Sequence, residues 1–246
     1  TYVNLMASLP NSQRQYLTVE RATAYKMALK DHCDFCWVQT KNCMCSKYQA
    51  VNWTGVQKKV EIVFLMTYKE FFRSSNTAKV VLNTLPNTRF LMKGLQFHEE
   101  MLQQLLTPSE DRSVYVMFPC TGSLPIHKTP LVVDPEVGEE LAVEDTKTYT
   151  IIVLDGTWRE AKRLNGNITK SLPRIHLSPE NDPLFEHLRR QTVKKAGRTS
   201  TLEAVVECFR EIGMHSSETT KMLENMKILV NTIRSMSNKD LIDFDE

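Results

Sequence analysis

Glycine is scarce in this 246-residue chain, with 8 residues against a usual share of roughly 7%. Neither G-x-G-x-x-G nor G-x-x-x-x-G-K-[ST] occurs, which excludes a fold built on either glycine-rich phosphate loop. Long apolar runs are missing as well. None approaches the roughly 20 residues of a membrane span, so no membrane association is expected. The stretch TYVNLMASLPNSQRQYL has no basic start followed by an apolar segment and does not read as a secretory signal. No charge sign dominates: 31 Lys/Arg meet 29 Asp/Glu, a net +2, and the global field singles out no partner. The six cysteines are not spaced as a secreted disulfide framework, because four of them fall between residues 33 and 45. That usage places the protein in a reducing, intracellular compartment, cytoplasm or nucleus.

What is present is an alternation of β-rich apolar runs and helical periodicity. The pattern predicts strands at 60–66, 88–94, 113–119, 148–156 and 172–178. Helices are expected from Ser12 to about residue 30, from residue 76 to just before Pro86, and over 98–107, 157–165, 201–213 and 217–237. Ser12 and Thr201 are the expected caps of their helices, and Tyr16, Val19, Thr23 and Met27 recur on one face of the first. Several strands are continuous apolar runs, the signature of a mainly parallel α/β sheet with helices on both faces. Three units are expected: an N-terminal helix and cysteine knuckle (1–55), a catalytic domain (56–214), and a C-terminal helix with an acidic tail (215–246).

Met222, Met226, Leu229, Ile233 and Met236 form one stripe on the last helix. The stripe docks either on its own chain or on a second copy; the first reading makes a monomer with no obligate protein partner. Met44, Met92 and Met117 read as core fillers, and Cys208 as a core thiol.

Charge is uneven along the chain. Residues 157–200 hold ten Lys/Arg against four Asp/Glu, whereas 100–150 hold three against nine. The basic sector is either a polyanion-binding surface or a solvated face.

Cys33, Cys36, Cys43 and Cys45 are spaced C-x2-C-x6-C-x-C. Two knuckles of two sulfurs suit a tetrahedral zinc, and four thiolates leave no open position, so the metal is structural. A redox C-x-x-C would leave Cys43 and Cys45 unexplained.

The stretch IIVLDGTWREAKRL runs an apolar strand into Asp155, Gly156, Thr157 and Trp158. Asp-Gly is enough for a turn, with Trp158 as core. Alternatively, a strand-end carboxylate beside an aromatic ring is chemical equipment. DGTW matches the D-x-T-W signature of the DTW-domain family of tRNA-uridine aminocarboxypropyltransferases. Other segments resemble family motifs in the same order: the cysteine knuckle, RSSNTAKVVLNTLPN (73–87), MFPC (117–120), LPRIHL (172–177) and RTSTLEAV (198–205). The resemblance covers roughly residues 33–212. The chain departs from the family in MTYKE, where an H-P pair is usual, and in DPLFEHLRRQ, where Ser-x-Tyr is usual.

The resemblance implies a SPOUT-like fold with a C-terminal trefoil knot, S-adenosylmethionine as cofactor, and tRNA as partner. It implies transfer of the aminocarboxypropyl arm to N3 of a uridine, with Asp155 as general base and Thr157 and Trp158 completing the catalytic motif. On this reading Trp158 partly buries Asp155, and free N–H groups at the helix start hold the carboxylate of the cofactor. Asn76, Thr77, Phe118, Pro119, Gly156, His176, Leu177 and Thr201 are the expected cofactor contacts. Arg159, Lys162, Arg163, Arg189, Arg190, Lys194, Lys195 and Arg198 are the expected RNA contacts. Rival readings are a SPOUT-like methyltransferase and a catalytically inactive zinc-knuckle RNA-binding protein.

Overall fold

The computed structural model describes residues 9–132, 147–177 and 199–244. Its helices are α1 (Asn11–Met27), α2 (Ala78–Thr84), α3 (Gln96–Leu106), α4 (Trp158–Gly166), α5 (Thr201–Glu211) and α6 (Ser216–Met236). Its strands are β1 (Lys59–Thr67), β2 (Thr88–Lys93), β3 (Arg112–Met117), β4 (Leu124–Pro125), β5 (Thr148–Asp155) and β6 (Arg174–His176). The strands form one six-stranded sheet in the order β2-β1-β5-β3-β6-β4, and every pairing is parallel. This bears out the parallel α/β expectation; only the two-residue β4 carried no sequence signal.

The period of two divides the strand residues between two apolar layers. Ile62, Phe64, Met66, Ile151 and Val153 face the layer formed by α2, α5, α6 and the cysteine knuckle. Val63, Leu65, Ile152 and Leu154 face α3 and α4. Asp155 continues the parity of Ile151 and Val153, which turns it toward the starts of α2 and α5. The strand run therefore ends in a carboxylate inside the molecule.

The knuckle, the sheet and the last helix share one core. Cys36, Trp37, Val38 and Met44 lie in the same buried cluster as β1 and α6. Met44, Met92, Met117 and Cys208 are all buried, as expected. Met222, Met226 and Leu229 of the stripe are buried against their own chain, whereas Ile233 is half-buried and Met236 is exposed. Asn225, fully buried, clamps residue 49 through both of its amide atoms at 2.8 Å. Glu218 accepts from the Asn52 N–H at 2.8 Å. Gly55 permits a close approach here: a Cβ would lie 2.6 Å from the Gly213 carbonyl oxygen.

Three local expectations are corrected. Helix α1 begins at Asn11 with Pro10 in the cap position, so Ser12 lies inside it. On its expected face Val19 and Thr23 are buried, but Tyr16 and Met27 are exposed. The helix is instead anchored by Lys26, whose Nζ donates to the Tyr68 and Phe71 carbonyls at 2.7 and 2.5 Å. The cap of α5 is Ser200, in a reciprocal box with Glu203, and Thr201 is released for another bond.

Candidate active site

Asp155 is 3% exposed. Asn76 Nδ2 donates to its Oδ2 at 2.6 Å, and Thr201 Oγ1 donates to its Oδ1 at 2.6 Å. Three segments far apart in sequence thus meet at one carboxylate. Asn76 also caps its own helix, accepting the Lys79 N–H at 3.1 Å, and Thr77 Oγ1 accepts the Leu202 N–H of α5 at 3.3 Å. The starts of α2 and α5 are thereby tied together above Asp155, with their partial positive ends toward it.

A second buried carboxylate lies close by. Glu70, 5% exposed, is 3.5 Å from Asn76 Nδ2 and receives Arg73 at 2.7 Å. Burial pushes the Asp155 carboxyl up to about 6; the Glu70 charge adds to this, and the Thr201, Asn76 and Arg73 interactions oppose it. Such a group is ionised at neutral pH yet is a far better proton acceptor than an ordinary aspartate. Trp158 is not among the charges and hydrogen bonds that act on the carboxyl.

Gly156, at φ 148°, makes the turn out of β5; a Cβ there would lie 3.1 Å from Glu160 Cβ. Thr157 then caps α4 in a reciprocal box with Glu160. The Thr157 N–H and hydroxyl both donate to Glu160 Oε2, at 3.0 and 2.7 Å. Of the helix-start N–H groups expected to hold a cofactor carboxylate, that of Thr157 is bonded to the Glu160 carboxylate and that of Glu160 to the Thr157 hydroxyl. Both reciprocal boxes fit the pattern S/T-x-x-E, a signal that the expectation of Thr201 as the cap of α5 overlooked.

Trp158 is 43% exposed. Its ring stacks on Phe118 at 5.2 Å and 18°, and Lys162 Nζ lies 5.6 Å from its centroid. It is not core.

The other expected contacts gather at the same carboxyl edge. Phe118 and Pro119 follow β3, and Leu177 follows His176 at the end of β6. His176 Nδ1 pairs with Ser123 Oγ at 2.9 Å. Thr67 Oγ1, at the end of β1, is buried without a partner. In open parallel sheets this edge, near a switch in strand order, is where ligands bind. Arg159, Lys162 and Arg163 are exposed on α4. Arg189, Arg190, Lys194, Lys195 and Arg198 lie outside the described residues. Sequence reasoning missed Glu70, Arg73, Glu160 and Ser123; Glu70 lies just before the 73–87 motif and Arg73 is its first residue, neither matching a pattern of its own.

The four cysteine sulfurs of the knuckle lie within 4.8 Å of one another. Cys33 Sγ is 3.6 Å from Cys45 Sγ, and Cys36 Sγ is 3.7 Å from Cys43 Sγ. A tetrahedral zinc with Zn–S near 2.3 Å requires edges of about 3.8 Å, so the donor set fits that ion. Burial would raise the Cys33 thiol, but the Cys36 and Phe35 N–H groups and neighbouring thiols bring it down to about 7. Lys79 is fully buried beside the cluster; Nζ donates to the Ser74 carbonyl at 2.5 Å and lies 5.9 Å from the Trp37 ring centroid. Burial lowers the Lys79 ammonium to about 8 against the pull of the Cys36, Cys45 and Cys33 charges. Helix α2 therefore bears on both centres, through the Lys79 charge at the sulfurs and through the Asn76–Thr77 lead at Asp155.

Among the described residues no helix is long and apolar enough to cross a membrane. The family model for the DTW domain matches residues 30–234. No solved structure matches the chain.

Proposed function

The chain belongs to the DTW-domain family, and on that premise we propose that it transfers the 3-amino-3-carboxypropyl group of S-adenosylmethionine to N3 of a uridine in tRNA. The observation that carries this reading is Asp155: a buried strand-end carboxylate held by two donors, with its pKa near 6. Uridine N3 carries a proton at neutral pH and becomes a nucleophile only when that proton leaves. Asp155 accepts it. Because Asp155 is 3% exposed, the proton reaches it through the half-buried Thr201 hydroxyl, which hands its own proton to Oδ1 as it takes up the one from N3. N3 then bonds to the γ-carbon of the donor's aminocarboxypropyl arm. The C–S bond breaks, its electron pair stays on sulfur, and methylthioadenosine leaves.

The donor binds at the carboxyl edge. The Asp155 and Glu70 charges favour a sulfonium nearby, the unpartnered Thr67 hydroxyl offers a polar contact, and the backbone around Phe118–Pro119 and His176–Leu177 frames the adenosine. A SPOUT-like arrangement with a C-terminal knot belongs to this reading, as does a structural zinc on Cys33, Cys36, Cys43 and Cys45. Arg159, Lys162 and Arg163, with the basic residues 189–198, meet tRNA phosphates. Orientation selects the reacting carbon, since only the one in line with N3 is attacked.

The test is mass spectrometry of tRNA incubated with the protein and labelled donor. The expected products are aminocarboxypropyl-uridine and methylthioadenosine. Methylated uridine with S-adenosylhomocysteine would replace this reaction by methyl transfer, and unmodified tRNA would favour a binding protein.

A further inference from the structure

Trp158 is an exposed ring at the entrance to the active-site edge, and neither the proton transfer nor the donor contacts use it. Exposing 43% of a tryptophan forgoes burial of a large apolar surface. The ring is also held still. One face rests on Phe118, which is 6% exposed and part of the layer under α3 and α4. Its backbone is the first turn of a helix fixed by the Thr157–Glu160 box. It is three positions from Asp155 in sequence, so the two Cα atoms are at most about 11 Å apart.

The surroundings are cationic. Lys162 lies over the ring, and Arg159 and Arg163 are exposed beside it. Among the described residues no carboxylate pairs with any of the three. A rigid exposed aromatic plane next to unpaired Lys and Arg is how proteins engage unstacked bases: the ring takes a π-face and the cations take phosphates.

We propose that Trp158, backed by Phe118, is a stacking platform for an unpaired base of the RNA substrate, with Lys162 leaving the ring for a phosphate as the base arrives. The inference rests on the proposed tRNA reaction and adds the form of its substrate. The acceptor uridine or its neighbour is presented from a single-stranded loop and not from a duplex. A base pair within a helix has both faces covered by its neighbours and cannot use the platform.

Tryptophan fluorescence and labelled-RNA anisotropy test this without any donor present. Trp37 is 4% exposed and Trp53 is half-buried, so Trp158 is the accessible reporter. Single-stranded oligouridylate should quench the emission of the native protein, and a duplex of equal length should quench it much less. Trp158→Ala should lose the quenching and weaken single-strand binding by about five- to a hundredfold. Trp158→Phe should keep most of the affinity. Equal affinities for the native protein and Trp158→Ala would overturn the proposal, as would equal quenching by duplex and single strand. Quenching by methylthioadenosine in place of oligouridylate would reassign the ring to the donor. Since the titrations contain no donor, a lack of transfer activity would count against the reaction and not against the platform.

Discussion

Asn76 and Asp155, 79 residues apart in sequence, are joined by a 2.6 Å bond from Nδ2 to Oδ2. The same nitrogen stands 3.5 Å from Glu70. One amide thus faces two buried carboxylates, and the strength of Asp155 as a base is set by the balance between like charge and donated hydrogen bonds.

That balance predicts opposite pH effects for two substitutions. Glu70→Gln removes a negative charge that raises the Asp155 pKa, so the acid limb of kcat/KM should move to lower pH. Thr201→Val removes a hydrogen bond that lowers it. Its acid limb should move up, and kcat should fall by about 10²- to 10⁴-fold because the relay hydroxyl is gone. Thr201→Ser should restore both. Shifts of the same sign in the two variants would contradict this account of the site.

Asp155→Asn should abolish transfer at every pH while the fold persists. It should also leave a mark on stability. The native pKa is raised from 3.8 to about 6, so between these values the unfolded chain ionises first and the native state retains its proton. Native stability therefore falls as pH rises from about 4 to about 6, by roughly 3 kcal/mol in total. The difference between native protein and variant in thermal melts should track that window. A pH-independent difference would mean that Asp155 is not the shifted group.

Substituting a knuckle cysteine should be structural in effect. Cys36→Ser or Cys45→Ser should release bound metal and lower Tm by roughly 10 °C or more, and strong chelators should do the same to the native protein. Elemental analysis that finds no zinc in purified native protein would defeat the four-thiolate reading.

The burial of α6 separates two of its stripe positions. Leu229 is fully buried, and Leu229→Ala should cost about 2–5 kcal/mol. Ile233 is only half-buried, and Ile233→Lys should stay within about 1 kcal/mol. Truncation before Ser217 should leave an insoluble or markedly less stable protein. Light scattering should find a monomer for the full chain; a dimer that dissociates on Ile233→Lys would show that the stripe has an outside partner.

The sheet was legible because period-two burial and continuous apolar runs leave few alternatives for 60–66, 113–119 and 148–155. The sulfur cluster was legible because its spacing alone matches a tetrahedron. The direction of Trp158 was not legible, since a tryptophan reads as core until the strand parity around it is known. Nor was the Asp155 environment, because Glu70 enters through a loop and Thr201 through a cap that the neighbouring Ser200 could equally supply. Such choices are settled by packing between distant segments, which local pattern does not carry.

The parallel order also sets a schedule for the newly made chain. Glu61 of β1 and Thr150 of β5 meet across 89 residues of sequence. One edge of β1 can pair with β2 early, but its other edge, a run of Val, Ile, Phe, Leu and Met, stays open until β5 has been synthesised. Pairing over such separations is slow and exposes sticky strand edges meanwhile. The donor from α5 comes later still. A growing chain is thus aggregation-prone until β5 has been made, and the hydrogen bonding of Asp155 is completed only with residue 201, so a chain that stops before that residue lacks the assembled site.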